Sequence, residues 1–341
     1  MGVEVQFSDV MLGSVHAGSF LHLGAFIFVW LLAATIPVGV VVSIVTGDLR
    51  FILALAFYGT MRHFFPRGPW ESVRQRHLEL AQSFQYFRTQ KTVIEMNTSD
   101  TSVDRHMLAF HPHGVLCLGW VVNGNANHDL ERIGRYHWLG AWWMNNLPSE
   151  AVSPSFYFTA VLTRMAPPLV LSEVVAWQRG GPVSKEHVNY LMGKGENVAI
   201  LPGGFEEATL FRKGRHLVYL RNRKGFIVYA LRYGYRVSPV YTFGEELLYS
   251  SFERWPNFRL WLNKWKIPCV LFWSRYGFMP EPFVDLITVV GQPLQFPQIP
   301  SPTPDEVDKY FEMYVQALRD LFDRNKAKYA HDPDAELIII T

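Results

Sequence analysis

His111-Pro112-His113-Gly114 sets two imidazoles on either side of a proline and closes on a glycine. The apolar run Met107-Leu108-Ala109-Phe110 that leads into it has the length and content of a short buried strand. A strand ending in Pro and Gly turns sharply, and such a turn can present a ring at the lip of a sheet. Imidazole is the side chain best suited to taking a proton near neutral pH. Alone, the tetrapeptide fits a structural turn, a catalytic base or part of a metal site.

Two further blocks carry chemistry. Leu201-Pro202-Gly203-Gly204-Phe205-Glu206-Glu207 follows the apolar run Val198-Ala199-Ile200. Its glycine pair permits a tight turn and close approach of backbone to a ligand. A carboxylate just beyond can orient an imidazole, although a plain turn with two solvated acids uses the same residues. Arg221-Asn222-Arg223-Lys224-Gly225-Phe226 then leads into a helical pattern, with Arg212, Lys213 and Arg215 upstream. These cations could cradle the phosphates of a nucleotide-like carrier, or line a solvated loop beside an anionic membrane.

The elements that must position these blocks follow from periodicity. Strands are expected at Met107–Phe110, Val198–Leu201, Val237–Phe243 and Leu286–Val290, each bounded by Gly or Pro. Helical spacing falls between several of them, at Ser184–Leu191 and Arg223–Tyr233. Alternating strands and helices predict an α/β domain. Thr303-Pro304-Asp305-Glu306 supplies an N-cap, a first-turn proline and a capping-box acid. Val307, Tyr310, Phe311, Tyr314, Val315, Leu318, Leu321 and Phe322 continue from it near period 3.6. That helix should dock on the domain, its tyrosines serving as core.

Composition narrows the class. The 341 residues suffice for one large domain or two. Hydrophobic residues make up 49% and charged residues only 18%, apolar for a soluble enzyme. A net charge of +2 argues against a nucleic-acid binder. Cys117 and Cys269 are too few for a disulfide framework and fit a reducing compartment. No Asp, Glu, Lys or Arg occurs between Val10 and Gly47, and Phe20 to Ile44 is almost wholly apolar, which supports one membrane insertion. The acidic start, Glu4 and Asp9 without a cation, disfavours a signal peptide. Arg50, Arg62 and Arg67 favour a cytosolic C-terminal side. Pro37 and Gly39 allow instead a re-entrant hairpin, with Phe51 to Met61 returning and the Asp48 and Arg50 pair held at the interface. Trp255 to Trp265 has the Trp content of an interfacial segment, or of a Trp-rich packing face.

Several chemistries are absent. There is no G-x-S-x-G elbow, Walker loop, G-x-G-x-x-G or H-E-x-x-H, and the two histidines lack an evident third zinc ligand. The sequon Asn97-Thr98-Ser99 would matter only on a lumenal face, which the charge asymmetry opposes.

In order and spacing the blocks resemble the diacylglycerol acyltransferase 2 family, which includes monoacylglycerol acyltransferases and wax synthases. The shared marks are His111–Gly114, the Gly-Gly-x-x-Glu block Gly203–Glu207, and the Arg-x-Arg-Lys-Gly-Phe block from Arg221 to Arg232. Val237 to Glu245, Gly181-Pro182-Val183-Ser184 and Val289 to Pro293 are also family-like, so the resemblance spans roughly residues 55 to 341. Two departures stand out. Tyr86-Phe87-Arg88 lacks the proline the family often has, and no His is followed by Asp in the His-x4-Asp pattern of broader glycerolipid acyltransferases.

The resemblance implies a glycerolipid-acyltransferase-like mixed α/β sheet flanked by helices, with residues 1–62 as tail and membrane anchor and 63–341 as a cytosol-facing catalytic domain. It implies esterification of diacylglycerol to triacylglycerol from acyl-CoA, with monoacylglycerol or a fatty alcohol as the alternative acceptor and a non-enzymatic lipid carrier as the distant rival. His113 is expected to be the base, because plant members of the family resemble Glu-Pro-His-Ser here and keep only the second histidine. His111 would support the turn, and Glu207 would hold the His113 ring. Backbone N–H groups near Gly114, Gly203 or Gly204 would face the oxyanion, and Arg221, Arg223 and Lys224 the CoA phosphates. Acyl-CoA is a substrate, and the reaction calls for no cofactor or metal. The expected setting is the endoplasmic reticulum membrane or a lipid droplet, with a homo-oligomer possible in principle.

Overall fold

The computed structural model describes residues 3–5, 23–24, 27, 39–64, 69–83, 85–96, 104–140, 176–264 and 269–341. In chain order the strands are β1 (Val3–Val5), β2 (Thr89–Ile94), β3 (His106–His111), β4 (Tyr136–Gly140), β5 (Gly180–Pro182), β6 (Asn197–Ile200), β7 (Leu217–Tyr219), β8 (Arg236–Phe243), β9 (Ser250–Ser251), β10 (Phe272–Trp273), β11 (Asp285–Val290), β12 (Leu294–Gln295) and β13 (Ile338–Ile340). Among the described residues, nine of these form one mixed sheet in the order β1-β2-β11-β8-β3-β6-β4-β5, with β12 also on β8. The run from β8 through β3, β6 and β4 to β5 is parallel, and β11 joins β8 antiparallel.

The helices are α1 (Arg50–Phe64), α2 (Glu71–Ser83), α3 (His128–Ile133), α4 (Lys185–Gly193), α5 (Gly204–Leu210), α6 (Gly225–Tyr233), α7 (Pro256–Lys264) and α8 (Pro304–Tyr329). They cover both faces of the sheet, so its central strands read as continuous apolar runs rather than alternating ones: every residue of β3 is buried. Alternation within β3 sorts the two cores. Met107 and Ala109 pack with α4, α6 and α8 through Leu191, Ile227, Leu231, Phe311 and Leu318. Leu108 and Phe110 face the other way, onto Leu130, Tyr136 and Trp138. The same two-residue period carries His111 onto the α8 side. α8 itself starts at the expected capping box, with Thr303 and Glu306 exchanging side-chain and backbone bonds.

The four expected strands and three expected helices are all present, and the α/β class holds. The N-terminal expectation fares differently. Residues 20–44 lie mostly outside the described residues, as do the sequon and Trp265. No helix among the described residues is long and apolar enough to cross a membrane. Residues 39–46 are helical, the chain turns at Gly47 with φ +67°, and α1 follows. Asp48 and Arg50 pair at that turn at 2.6 Å. Val3–Val5 joins the sheet edge beside β2, and Leu23 and Ile27 are buried with Tyr86, Val115, Leu116 and Leu118. At these points the chain before residue 62 packs against residues of the part expected to begin at 63.

Candidate active site

Because β6, β3 and β8 run parallel and adjacent, the chain leaves all three at the same edge of the sheet. Ala109 lies opposite Ile200, and His111 opposite Tyr241. His111–Gly114 therefore emerges from β3 between Leu201–Glu207 from β6 and Gly244-Glu245-Glu246 from β8. The carboxyl edge of parallel strands is where open α/β sheets place their ligands.

Glu207 sits in the first turns of α5, only 3% exposed. One carboxylate oxygen accepts the backbone N–H of His113, and the other accepts that of Tyr219 at 2.7 Å. Sequence reasoning aimed this carboxylate at the His113 ring; it holds the His113 backbone instead, and ties the histidine turn to the strand before the basic block. The ring is oriented by its own neighbour. His113 Nδ1 lies 3.1 Å from the Gly114 carbonyl, so Nδ1–H donates and Nε2 keeps its lone pair. Burial lowers the pKa of this half-buried ring, partly offset by the Gly114 carbonyl and the Glu206 charge, so it stays neutral at pH 7.

The glycines make room for these carboxylates. A Cβ on Gly203 would land on the Glu207 side chain, and a Cβ on Gly114 on the Glu245 side chain. Gly114 and Gly204 also adopt φ of +58° and +57°, which L side chains avoid.

Two residues that sequence reasoning did not assign complete the site. Glu245 is buried and accepts the N–H groups of Leu118 at 3.0 Å and Gly119 at 2.7 Å, fastening the segment that leaves the histidine turn. It stands in the block marked above as family-like, but no spacing names its targets. Tyr314, read as core, also bonds to the first histidine: its hydroxyl is 2.9 Å from His111 Nε2 and donates to the Ala109 carbonyl at 3.4 Å. With that proton committed, His111 Nε2–H donates to the tyrosine, leaving Nδ1 buried without a partner among the described residues. Burial pushes His111 down to about 3, so it is neutral.

The basic block divides. Arg223 pairs with Glu206, and Lys224 Nζ sits 2.6 Å from Asp308 on α8. Arg221 is exposed, and its side chain has no partner among the described residues.

The buried ionisable groups set a pH dependence. Desolvation pushes Glu207 and Glu245 up to about 8 and Glu246 to about 7, from 4.5. Each binds its proton more tightly when folded, so its contribution is complete below pH 4.5 and is lost as pH rises through 7 to 8. Burial pushes His106 and His111 down to about 3 and His216 to about 4, from 6.5. Their contribution is complete above pH 6.5 and is lost as pH falls toward 3 to 4. Between pH 4.5 and 6.5 the two sets offset each other, so thermal unfolding of the detergent-solubilised protein should show a plateau there and a lower midpoint by pH 8.5. A midpoint still rising at pH 8.5 would show that the glutamates are not held protonated.

The model of the family described as "Diacylglycerol acyltransferase" matches residues 154–340, more than half of the chain. Diacylglycerol O-acyltransferase 2 of Bos taurus is 29% identical over 279 residues, covering 75% of this chain and 70% of that protein. Diacylglycerol O-acyltransferase 2-like protein 6 of Homo sapiens is 32% identical, covering 75% and 77%. The human 2-acylglycerol O-acyltransferase 3 is 29% identical, covering 68% and 67%. The matched region begins upstream of the glycine pair and takes in the basic block and α8, and the alignments to the whole relatives extend over most of the chain. The chain belongs to the diacylglycerol acyltransferase family.

Proposed function

We propose that this protein transfers an acyl group from acyl-CoA to the free hydroxyl of diacylglycerol, forming triacylglycerol and CoA. The observation that carries the mechanism is the meeting of the histidine turn, the Gly-Gly-x-x-Glu loop and the segment after β8 at one sheet edge, with the His113 Nε2 lone pair left free by the Gly114 carbonyl. His113 Nε2 takes the hydroxyl proton as the oxygen attacks the thioester carbonyl. The tetrahedral intermediate collapses with loss of the CoA thiolate, which receives the proton from the imidazolium. Backbone N–H groups around Gly114, Gly203 and Gly204 face the oxyanion, where one well-placed donor contributes about 3 kcal/mol. His111 holds the turn through Tyr314. Glu207 acts by positioning the His113 backbone. Among the expected phosphate contacts Arg221 is the uncommitted one, while Arg223 and Lys224 would have to leave Glu206 and Asp308 to reach CoA.

The setting belongs to the same proposal: residues 1–62 as anchor in the endoplasmic reticulum membrane or on a lipid droplet, the rest facing the cytosol, as a monomer or homo-oligomer. Diacylglycerol dissolves in the bilayer, and the charge-free stretch from Val10 to Gly47 supports such an anchor. A monoacylglycerol acceptor is the second reading, favoured by the likeness to a protein named 2-acylglycerol O-acyltransferase 3.

The test uses membranes from a host lacking neutral-lipid synthesis, given labelled oleoyl-CoA with diacylglycerol, monoacylglycerol or hexadecanol. Triacylglycerol should dominate. Dominant diacylglycerol or wax ester moves the acceptor, and no ester from any acceptor, with the protein present, overturns the enzyme reading in favour of a lipid carrier.

A further inference from the structure

Helix α7 buries two polar residues and exposes two aromatic ones, with Leu260 and Leu262 half-buried. Its buried face carries Arg259, 4% exposed, and Asn263, while Phe258 and Trp261 are 55% and 49% exposed and their rings stack outward at 5.9 Å. Trp255, just ahead of the helix, is 68% exposed. Asn263 is held by Thr209 Oγ1 at 2.7 Å, but Arg259 Nε and Nη1 are buried without a hydrogen-bond partner among the described residues. If water bathed the outer face, rolling the helix would bury two aromatic rings and hydrate a guanidinium, both favourable. Leu260, Leu262 and the Asn263–Thr209 bond hold the helix in this orientation, and an apolar medium against the outer face removes the cost of the exposed rings.

Neighbouring residues repeat the pattern. Leu271, Trp273, Tyr276, Phe278 and Phe283, on the β10 side of the antiparallel β9–β10 pair and the segment after it, are all exposed. Exposed Arg254 and Lys264 flank α7 at its two ends, a charge arrangement complementary to anionic headgroups. Trp and Tyr are the aromatics suited to headgroup depth, with an apolar body and a polar tip. The charge-free N-terminal run also reaches this excursion: Leu23 and Ile27 are buried in a cluster against which Val270, Phe272 and Met279 pack, and Gly24 approaches Met279.

We infer that the outer face of α7 and the exposed aromatics of β10 and the segment after it form a second membrane-contact surface, seated in the headgroup layer of an anionic bilayer. The partner is a lipid surface, and the N-terminal run fixes which side of the domain meets it. This inference stands whether or not the proposed acyl transfer is correct, since it concerns docking alone.

The test reconstitutes the full-length protein into vesicles of brominated phosphatidylcholine and phosphatidylserine and follows tryptophan fluorescence, comparing wild type with W255F/W261F. Both substitutions are at exposed positions and leave the core intact. The variant should lose part of the intensity quenched by bromolipid, while the part quenched by aqueous iodide stays at the wild-type level. Loss of the iodide-quenched part, with bromolipid quenching unchanged, would overturn the proposal by placing these rings in water. A variant that changes neither part would overturn it as well, by placing them under protein, as in contact with a second copy. Near-ultraviolet circular dichroism in detergent checks that the variant keeps the wild-type fold; if it does not, W255F alone is read the same way.

Discussion

His113→Ala lowers acyl transfer by about 10²- to 10⁴-fold, the usual range for removing a general base, while the thermal midpoint moves little. The ring is half-buried, and among the described residues it bonds to the next residue's carbonyl. Alanine retains the backbone N–H that Glu207 accepts, so the turn stays tied to α5. His111→Ala is the contrasting change. It removes a fully buried ring and strips Tyr314 of its histidine partner, with an expected stability loss of about 2–5 kcal/mol. Activity assayed in membranes, alongside melting of the solubilised protein, separates the two. Equal loss of stability in both variants would mean that His113 is structural.

Gly114→Ala carries the second large effect. At φ +58° a side chain costs about 1–2 kcal/mol in backbone energy alone. The new Cβ would also displace the Glu245 carboxylate, leaving the N–H groups of Leu118 and Gly119 buried and unbonded, at about 1–3 kcal/mol each. The histidine turn and the segment beyond it should loosen together. We expect a lowered melting midpoint and acyl transfer reduced by at least about 100-fold, because displacing a reacting group by about 1 Å costs that much. A variant with wild-type activity would show that the Glu245 anchor does not position His113.

The sequence told more about which segments stand at the strand ends than about how they are held. Buried β-rich runs before His111 and Leu201 announced strands, and the Gly and Pro after them announced turns at strand ends. Their convergence was implicit once those strands became parallel neighbours. The capping box at Thr303 was legible because it is local, within four residues. The Glu207 carboxylate was expected at the His113 ring and meets the His113 backbone: the Gly-Gly-x-x-Glu spacing names a carboxylate but not which donor it meets across the fold. Tyr314 escaped because its helical period and its bond to a residue 203 positions away are compatible, and the period alone is visible. Glu245 escaped for the same reason, its targets lying 126 and 127 residues upstream. A stretch without charge describes solvent preference but not partner, so it gave no sign that Leu23 and Ile27 pack into the globular core.

The most direct measurement is the initial rate at saturating acyl-CoA and diacylglycerol from pH 4.5 to 7.5, for wild type and His113→Ala. Burial holds the His113 imidazole below its usual 6.5, so the wild-type rate should be flat at neutral pH and fall along an acid limb whose midpoint lies below 6.5. The small residual rate of His113→Ala should lack that limb. The same limb in both proteins, or a wild-type midpoint at or above 7, would contradict His113 as the group that takes the proton.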